Sequence, residues 1–374
     1  MRIFPMKNKS KITLFILIIL IFIFGVLISI PVKKEETIKI GAMLILSGEG
    51  AAWGQASQRA IDLAVEETNN ARGINGKQIE VVYEDTQGSA PKAVSAYNKL
   101  KEIDKVTAII GPLLQTEMGA IAPLADKDKF PVISPSYTSI SNRQNPRNPL
   151  RIWLDPTIEA EQMAEYVYKQ NIKTIAVLGT EDSWEKEVST AFANKFKALG
   201  GTVYVTELLQ PDEVNVRTTV LKATKNNPDA IFLGTYFQFL NLARVLKEFD
   251  YKGKLYSIEI DEYLAQESKE STSGLEFGLE FISSELYKDT FRKKFEEKYG
   301  EKSNIPAGQS YDAINILISF LKKSTSKKDI LKEMETFTSY DGVSGTISIT
   351  PDNKTIIPTS IYELQDGKIK VKSS

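Results

Sequence analysis

From residue 37 onward, short and almost wholly apolar β-branched runs alternate with segments whose apolar residues recur every three to four positions. TIKIGAMLIL (37–46), QIEVVYE (78–84), VTAIIG (106–111) and FPVIS (130–134) read as strands, with helices over 55–70, over 92–102 and up to Ala125. On the first helix Ala60, Leu63, Ala64 and Glu67 share a face with Ile61, Val65 and Thr68 beside them, and Gly73 stops it. The same period restarts at KTIAVLG (173–179) and continues through GTVYVTE (201–207), DAIFLGT (229–235) and KLYSIEI (254–260), with helices ending near Leu199, Lys225 and Phe249. Strands this continuously apolar are covered on both faces by crossover helices, so the pattern predicts an α/β protein with two parallel sheets. A single eight-stranded sheet is the alternative.

The Pro- and Asn-rich stretch SNRQNPRNPLRIWLDP (141–156) separates the two runs and reads as a crossover, which leaves a cleft between two similar lobes. Helices over 290–300, 307–323 and 327–337 follow, then strands over 345–350 and 359–372 around the Asp366-Gly367 turn. That order predicts completion of one lobe and then the other. Lobe 1 comprises 37–152 and 284–336, and lobe 2 comprises 153–283 and 337–374.

Ahead of the first strand the pattern is different. ITLFILIILIFIFGVLISI (12–30) is a nineteen-residue apolar run preceded by positive charge, and about 20 apolar residues cross a bilayer. The run is longer than a secretory h-region and Leu27, Ile28 and Ser29 make a poor cleavage site, so 1–36 reads as an uncleaved anchor more readily than as a cleaved signal. Lys and Arg on its amino-terminal flank place the remainder outside the cytoplasm. Of 47 basic residues, six precede the first acid at Glu35; from there on 41 basic face 48 acidic side chains, which gives nucleic acid no electrostatic footing. Cysteine and histidine are both absent, which removes disulfides, thiol nucleophiles, a lipid-bearing cysteine, the commonest general base and the usual zinc ligand. No metal and no cofactor is expected.

In open parallel sheets ligands bind beyond the carboxyl ends of the strands, where helix amino termini favour anions. The first such loop, LILSGEGAAWGQ (44–55), spaces its glycines as Gly48-x-Gly50-x-x-x-Gly54, one residue off the dinucleotide fingerprint, and Trp53 would crowd a diphosphate there. It reads instead as a tight turn that presents Ser47 and Trp53. Leu114, Gln115 and Thr116 follow the strand ending at Gly111-Pro112; Ser136, Tyr137 and Thr138 follow PVIS. In the second run Trp184, Tyr236 and either Glu259 or Asp261 occupy corresponding positions. Hydroxyls on one lobe facing aromatic residues and a carboxylate on the other make a box with one negative end. Ser183-Trp184-Glu185-Lys186 fits S-x-x-K, but two fixed positions recur by chance, as Ser324-Thr325-Ser326-Lys327 shows, and K-T-G is absent. An enzyme is not expected.

IKIGAMLILSGEGAAWGQ, NNARGINGKQIEVVYED, AIIGP, PVISPS, SYDAI and YDGVSGTISITPDNK together resemble the extracytoplasmic solute-binding proteins of branched-chain amino acid ABC importers, the leucine/isoleucine/valine-binding group, over 37–372. The resemblance implies the type I periplasmic-binding-protein fold, two Rossmann-like lobes joined by a three-strand hinge that closes on the ligand. It implies that Trp53 walls the pocket, that Leu114 to Thr116 with Ser136 and Thr138 hold a carboxylate, that Trp184 and Tyr236 come from the other lobe, and that an acid at 259 or 261 takes the ammonium. The implied partners are an amino acid or related amide and the permease subunits of an importer; a sensor of the same fold is the rival. Gln115 stands where serine is usual, Tyr137 is bulkier than usual, and Glu185 replaces a glycine, so the ligand stays open.

Overall fold

A computed structural model describes residues 37–48, 50–136, 147–273, 278–284, 287–303 and 305–372. The apolar run at 12–30 lies outside the described residues, and no helix among those described is long and apolar enough to cross a membrane.

The first run forms a five-stranded sheet of β1 (Thr37–Leu44), β2 (Gln78–Asp85), β3 (Ile109–Ile110), β4 (Val132–Ser134) and β5 (Leu150–Arg151), in the order β2-β1-β3-β4-β5. Gly41 lies opposite Ile109, Ile109 opposite Val132 and Ile133 opposite Leu150, all in parallel register. Between the strands run α1 (Ala51–Asn70), α2 (Ala90–Asn98) and α3 (Gln115–Asp128). On α1 the buried face is Ala56, Ala60, Ile61, Leu63 and Ala64, the apolar stripe that its sequence predicts.

The second sheet is built on α4 (Pro156–Lys169), β6 (Thr174–Thr180), α5 (Ser183–Ala198), β7 (Thr202–Leu209), α6 (Arg217–Thr224), β8 (Ala230–Gly234), α7 (Phe239–Glu248), β9 (Lys254–Ile258), the short α8 (Glu262–Glu267) and α9 (Lys269–Thr272), and β10 (Leu279–Ser283). Then come α10 (Asp289–Tyr299), α11 (Ala307–Lys323), α12 (Lys327–Thr336), an antiparallel three-stranded sheet of β11 (Ser339–Gly342), β12 (Gly345–Ile349) and β13 (Thr355–Ile356), and the hairpin β14 (Ser360–Gln365) and β15 (Lys368–Val371). The hairpin extends the second sheet antiparallel to β10, giving the order β15-β14-β10-β9-β8-β6-β7.

The alternation of strand and helix is thus a pair of separate sheets, not one of eight strands. Strand β10 sits inside the second sheet although its sequence, LEFIS, does not advertise a buried strand. Its interrupting charge, Glu280, is buried and engaged by Tyr166 Oη at 2.6 Å and by Lys372 Nζ. A paired charge costs a buried strand far less than a bare one.

The chain passes three times between the two sheets. Leu154 still belongs to the core of the first sheet and Ala160 to that of the second; Ile282 of β10 is in the second and Tyr287 packs with α1; Ile357 is in the first and Tyr362 in the second. Phe337, Ile347 and Ile357 are buried with α11 and β1. Two passages are tied side by side: Asp155 N donates to Thr355 O (2.9 Å), Thr355 Oγ1 to Arg151 O (3.0 Å) and Arg147 Nε to Asn353 Oδ1 (2.7 Å).

Candidate functional site

A cavity of about 180 Å³ opens where the carboxyl ends of strands from both sheets face one another.

The first-sheet wall begins at the glycine loop. Gly50, with φ 86°, opens α1 in the left-handed conformation. A Cβ on Gly54 would lie 1.7 Å from Ile45 O, so only glycine lets the helix rest against the end of its strand. That close seat brings Trp53, in the first turn, to the cavity. Ser47 is not there. Its hydroxyl donates to Asp85 Oδ2, while Asp85 Oδ1 accepts from Leu46 N (2.9 Å), Ser47 N (3.3 Å) and Gln87 N (3.0 Å). Desolvation acts the other way, but these bonds hold the Asp85 carboxyl below its ordinary range. The pair is a tie between β1 and β2 and not part of the cavity lining.

Helix α3 starts at Gln115 with Leu114 as its cap residue and with no side-chain cap. Leu114 N donates to Glu117 Oε2 (3.1 Å), and Gln115 and Thr116 in the first turn line the cavity. Ser136 joins them; its N–H donates to Ser134 Oγ (3.1 Å), whose hydroxyl donates to Pro112 O (2.8 Å). Leu113, Pro135, Trp153, Ile305 and Pro306 complete this side. Tyr137 and Thr138 lie outside the described residues.

The second-sheet wall carries the charge. Asp182 caps α5 through Oδ1, accepting from Trp184 N (2.9 Å), and Trp184 lines the cavity. Glu185 is fully buried; its Oε1 accepts from Tyr236 N (2.6 Å) and Phe237 N (3.0 Å), and Thr180 Oγ1 donates to Oε2. Desolvation raises its pKa against those bonds. Glu185 therefore shapes the loop after β8, a task that a glycine at this position would leave undone. Lys186 Nζ, the far end of the S-x-x-K match, donates to Glu181 Oε2 (2.7 Å). Tyr236 meets Trp53 edge-on across the cavity, ring centroids 5.2 Å apart at 66°. Its hydroxyl donates to Asp261 Oδ2 (2.9 Å), and Asp261 Oδ1 accepts from Leu264 N (2.8 Å) as the cap of α8. Both Asp261 oxygens are thus occupied.

Glu259 differs. It is 4% exposed, accepts from Ser283 Oγ on Oε2 (3.0 Å), and its Oε1 meets no donor. Burial pushes its pKa up to about 7. Of the two acids left open by sequence, Glu259 is the cavity-lining one with a carboxyl oxygen that no donor fills. Asp182, Glu185, Trp153, Phe237, Ile305 and Pro306 are lining residues that the sequence pattern did not single out; the helix starts at Asp182 and Pro306 were the available signals. Among the described residues no cluster of three or more metal-binding side chains stands in metal-holding array.

The model of the periplasmic binding protein family matches residues 37–368. The chain belongs to that family. This periplasmic binding protein shares 26% identity over 204 residues with the Leu/Ile/Val-binding protein BraC3 of Rhizobium johnstonii, covering 53% of this chain and 54% of that one. It shares 36% over 106 residues with the chemotactic substrate-binding protein BasB of Halobacterium salinarum, covering 28% and 26%. The match spans about half the length of the curated relatives of the Leu/Ile/Val-binding kind. Among solved structures, the leucine-binding protein LivK of Thermotoga maritima superposes with a TM-score of 0.79 at 24% identity over 90% of this chain and 98% of its own. LivJ of Streptococcus pneumoniae, in complex with isoleucine, gives 0.79 at 24% over 90% and 99%. A solute-binding protein of R. palustris in complex with benzoate gives 0.73 at 18% over 90% and 95%. The fold is that of the type I periplasmic binding proteins, whose members here are solute-binding proteins rather than enzymes, and the family implies a place outside the cytoplasm.

Proposed function

We propose that this periplasmic binding protein captures an amino acid, branched-chain or similar, or a related amide between its two sheets, and delivers it to the permease of an ABC importer. The observation that carries the reading is the polarity of the cavity. One side offers the start of α3 with Thr116 and Ser136, suited to a carboxylate or amide oxygen. The other offers the unpartnered Oε1 of buried Glu259, suited to an ammonium. Trp53, Trp184 and Tyr236 wall the space between. Closure follows from contacts that the ligand makes to both walls at once, since equal affinity for open and closed states shifts nothing. The segment at 12–30 tethers the receptor to the cytoplasmic membrane.

A thermal-shift panel of the twenty amino acids, their amides and short peptides on the full-length chain tests this. L-Leucine, L-isoleucine or a close analogue is expected to raise the melting temperature, and a panel with no stabilising member would overturn the assignment. The similarity to BasB supports a second reading, a receptor that signals to a partner. Pull-down of a signalling protein in place of a permease by the ligand-loaded chain would favour it.

A further inference from the structure

Glu159 lies in the first turn of α4, its N–H bonded to Asp155 O (3.2 Å). Its side chain is completely buried, and neither carboxyl oxygen meets a donor group. The carboxyl beside it is that of Glu259, whose Oε1 is likewise unpartnered. The backbone at Glu259 has φ 49°, a left-handed conformation that a glutamate rarely adopts, while its N–H is held by Ile282 O (3.0 Å). Strain of this kind is kept where it aims a side chain.

Among the described residues no cation is paired with either acid. Beside Glu259 stand Glu159 from α4, the Ser283 hydroxyl from β10 and Asp261 from its own loop; Tyr236 follows β8, and Asp182 and Glu185 line the cavity from the start of α5. Lys354, beside the start of α4, donates to Thr157 Oγ1 (3.0 Å), and Glu280, farther along β10, is engaged by Lys372 and Tyr166. Two buried carboxylates in contact would repel each other and each would carry the desolvation cost of an unpaired charge. A single proton turns one acceptor into a donor, ends the repulsion and leaves one buried charge in place of two.

We propose that Glu159 holds a proton that it donates to Glu259, so that the pair carries one negative charge, on the cavity-lining Glu259, and that Glu159 thereby sets the pH below which an ammonium-bearing ligand is released. The ligand clause rests on the proposed function; the shared proton does not. Burial, then the Glu259 charge, pushes Glu159 well above the usual carboxylate range, and Glu259 titrates at about 7. As pH falls through that value Glu259 becomes neutral, and the ammonium loses its partner. Glu159 is a positioning residue: it acts on the ligand only through Glu259.

Infrared spectra of the ligand-free full-length chain at pH 8 test the pair directly. Wild type minus Glu159→Gln is expected to show the C=O band of one protonated carboxyl, and absence of that band overturns the proposal. Calorimetry with L-leucine from pH 5 to 9 tests the control of release. Wild-type affinity is expected to fall about tenfold per unit below the Glu259 pKa. Glu159→Gln, which still donates, should bind at pH 8 within about threefold of wild type. Glu159→Leu, which cannot donate, should bind about tenfold more weakly at pH 7 and recover at higher pH, because Glu259 then titrates higher. Equal losses in both variants at every pH would show a packing role only and overturn the control of release. If no amino acid binds at any pH, the proposed function falls, and the band still decides whether the proton is shared.

Discussion

The two walls of the cavity are made of the same kind of element, strand ends leading into helices, yet they finish those helices in opposite ways. On the first-sheet wall the cap residues of α1 and α3, Gly50 and Leu114, make no side-chain bond, and Glu117 reaches back to Leu114 N. No described lining residue on that wall is charged. On the second-sheet wall α5 and α8 are capped by Asp182 and Asp261, and Glu185 and Glu259 stand beside them. A helix start with free N–H groups is a site for negative charge, and one already holding an aspartate is not. The fold alone makes both walls anion-attracting. Side chains reverse the sign of one, and a ligand with separated charges is then oriented across the gap.

The comparison breaks first at Glu259. If it supplies the charge of its wall, Glu259→Ala should cost about 2–5 kcal/mol in L-leucine binding, the range for losing one partner of a buried charged hydrogen bond. Calorimetry at pH 8 reads this as a loss of between about thirtyfold and several thousandfold. A loss under threefold would hand the role to Asp261, whose oxygens are already bonded to Tyr236 and Leu264.

Trp53 tests the contact between the walls. Its ring, from the first sheet, lies 5.2 Å from that of Tyr236, from the second. Trp53→Ala should weaken L-leucine binding by about 2 kcal/mol, in keeping with truncation of a buried aromatic anchor. Trp53→Phe should recover most of it. If the alanine variant binds as wild type does, the ligand does not use the aromatic bridge, and the carboxylate end alone represents the first wall.

The walls were unequally legible in sequence. The strand ends were legible because buried parallel strands are continuous apolar runs, and helix starts follow them by geometry; nine of the twelve candidate residues line one cavity as a result. What escaped notice are groups that work through other groups. Glu159 lies in an ordinary helix with no special spacing, and its role appears only when α4 is laid against the end of β9. Glu280 concealed β10 because a charge interrupts the run, and its partner Lys372 is 92 residues away. The task of Glu185 appears only when Tyr236 N and Phe237 N, some fifty residues away, are seen on its carboxyl.

Keeping a charge on the second wall has a cost that a pH series can measure. Glu259 has a folded-state pKa of about 7, above its ordinary value of 4.5. The folded protein therefore binds the proton more tightly than the unfolded chain does, and stability falls as pH rises from about 4.5 through about 7, with the full penalty above that. Glu259→Gln removes the penalty. It should raise the melting temperature of the ligand-free chain by about 2–4 °C at pH 8 and leave it nearly unchanged at pH 4.5. The same increment at both pH values would mean improved packing instead of a relieved charge.

The smallest effect belongs to Ser47, a residue that sequence placed among the ligand contacts and that the structure gives to Asp85. Its hydroxyl and N–H join the loop before α1 to the end of β2, at an exposed position where a charged hydrogen bond contributes little. Ser47→Ala should lower stability by less than about 1.5 kcal/mol, because Leu46 N and Gln87 N still hold the Asp85 carboxylate. L-Leucine affinity should stay within about threefold of wild type. A larger loss in affinity, with the melting temperature unchanged, would put Ser47 back at the ligand and require the first wall to reach beyond Trp53 in the bound state.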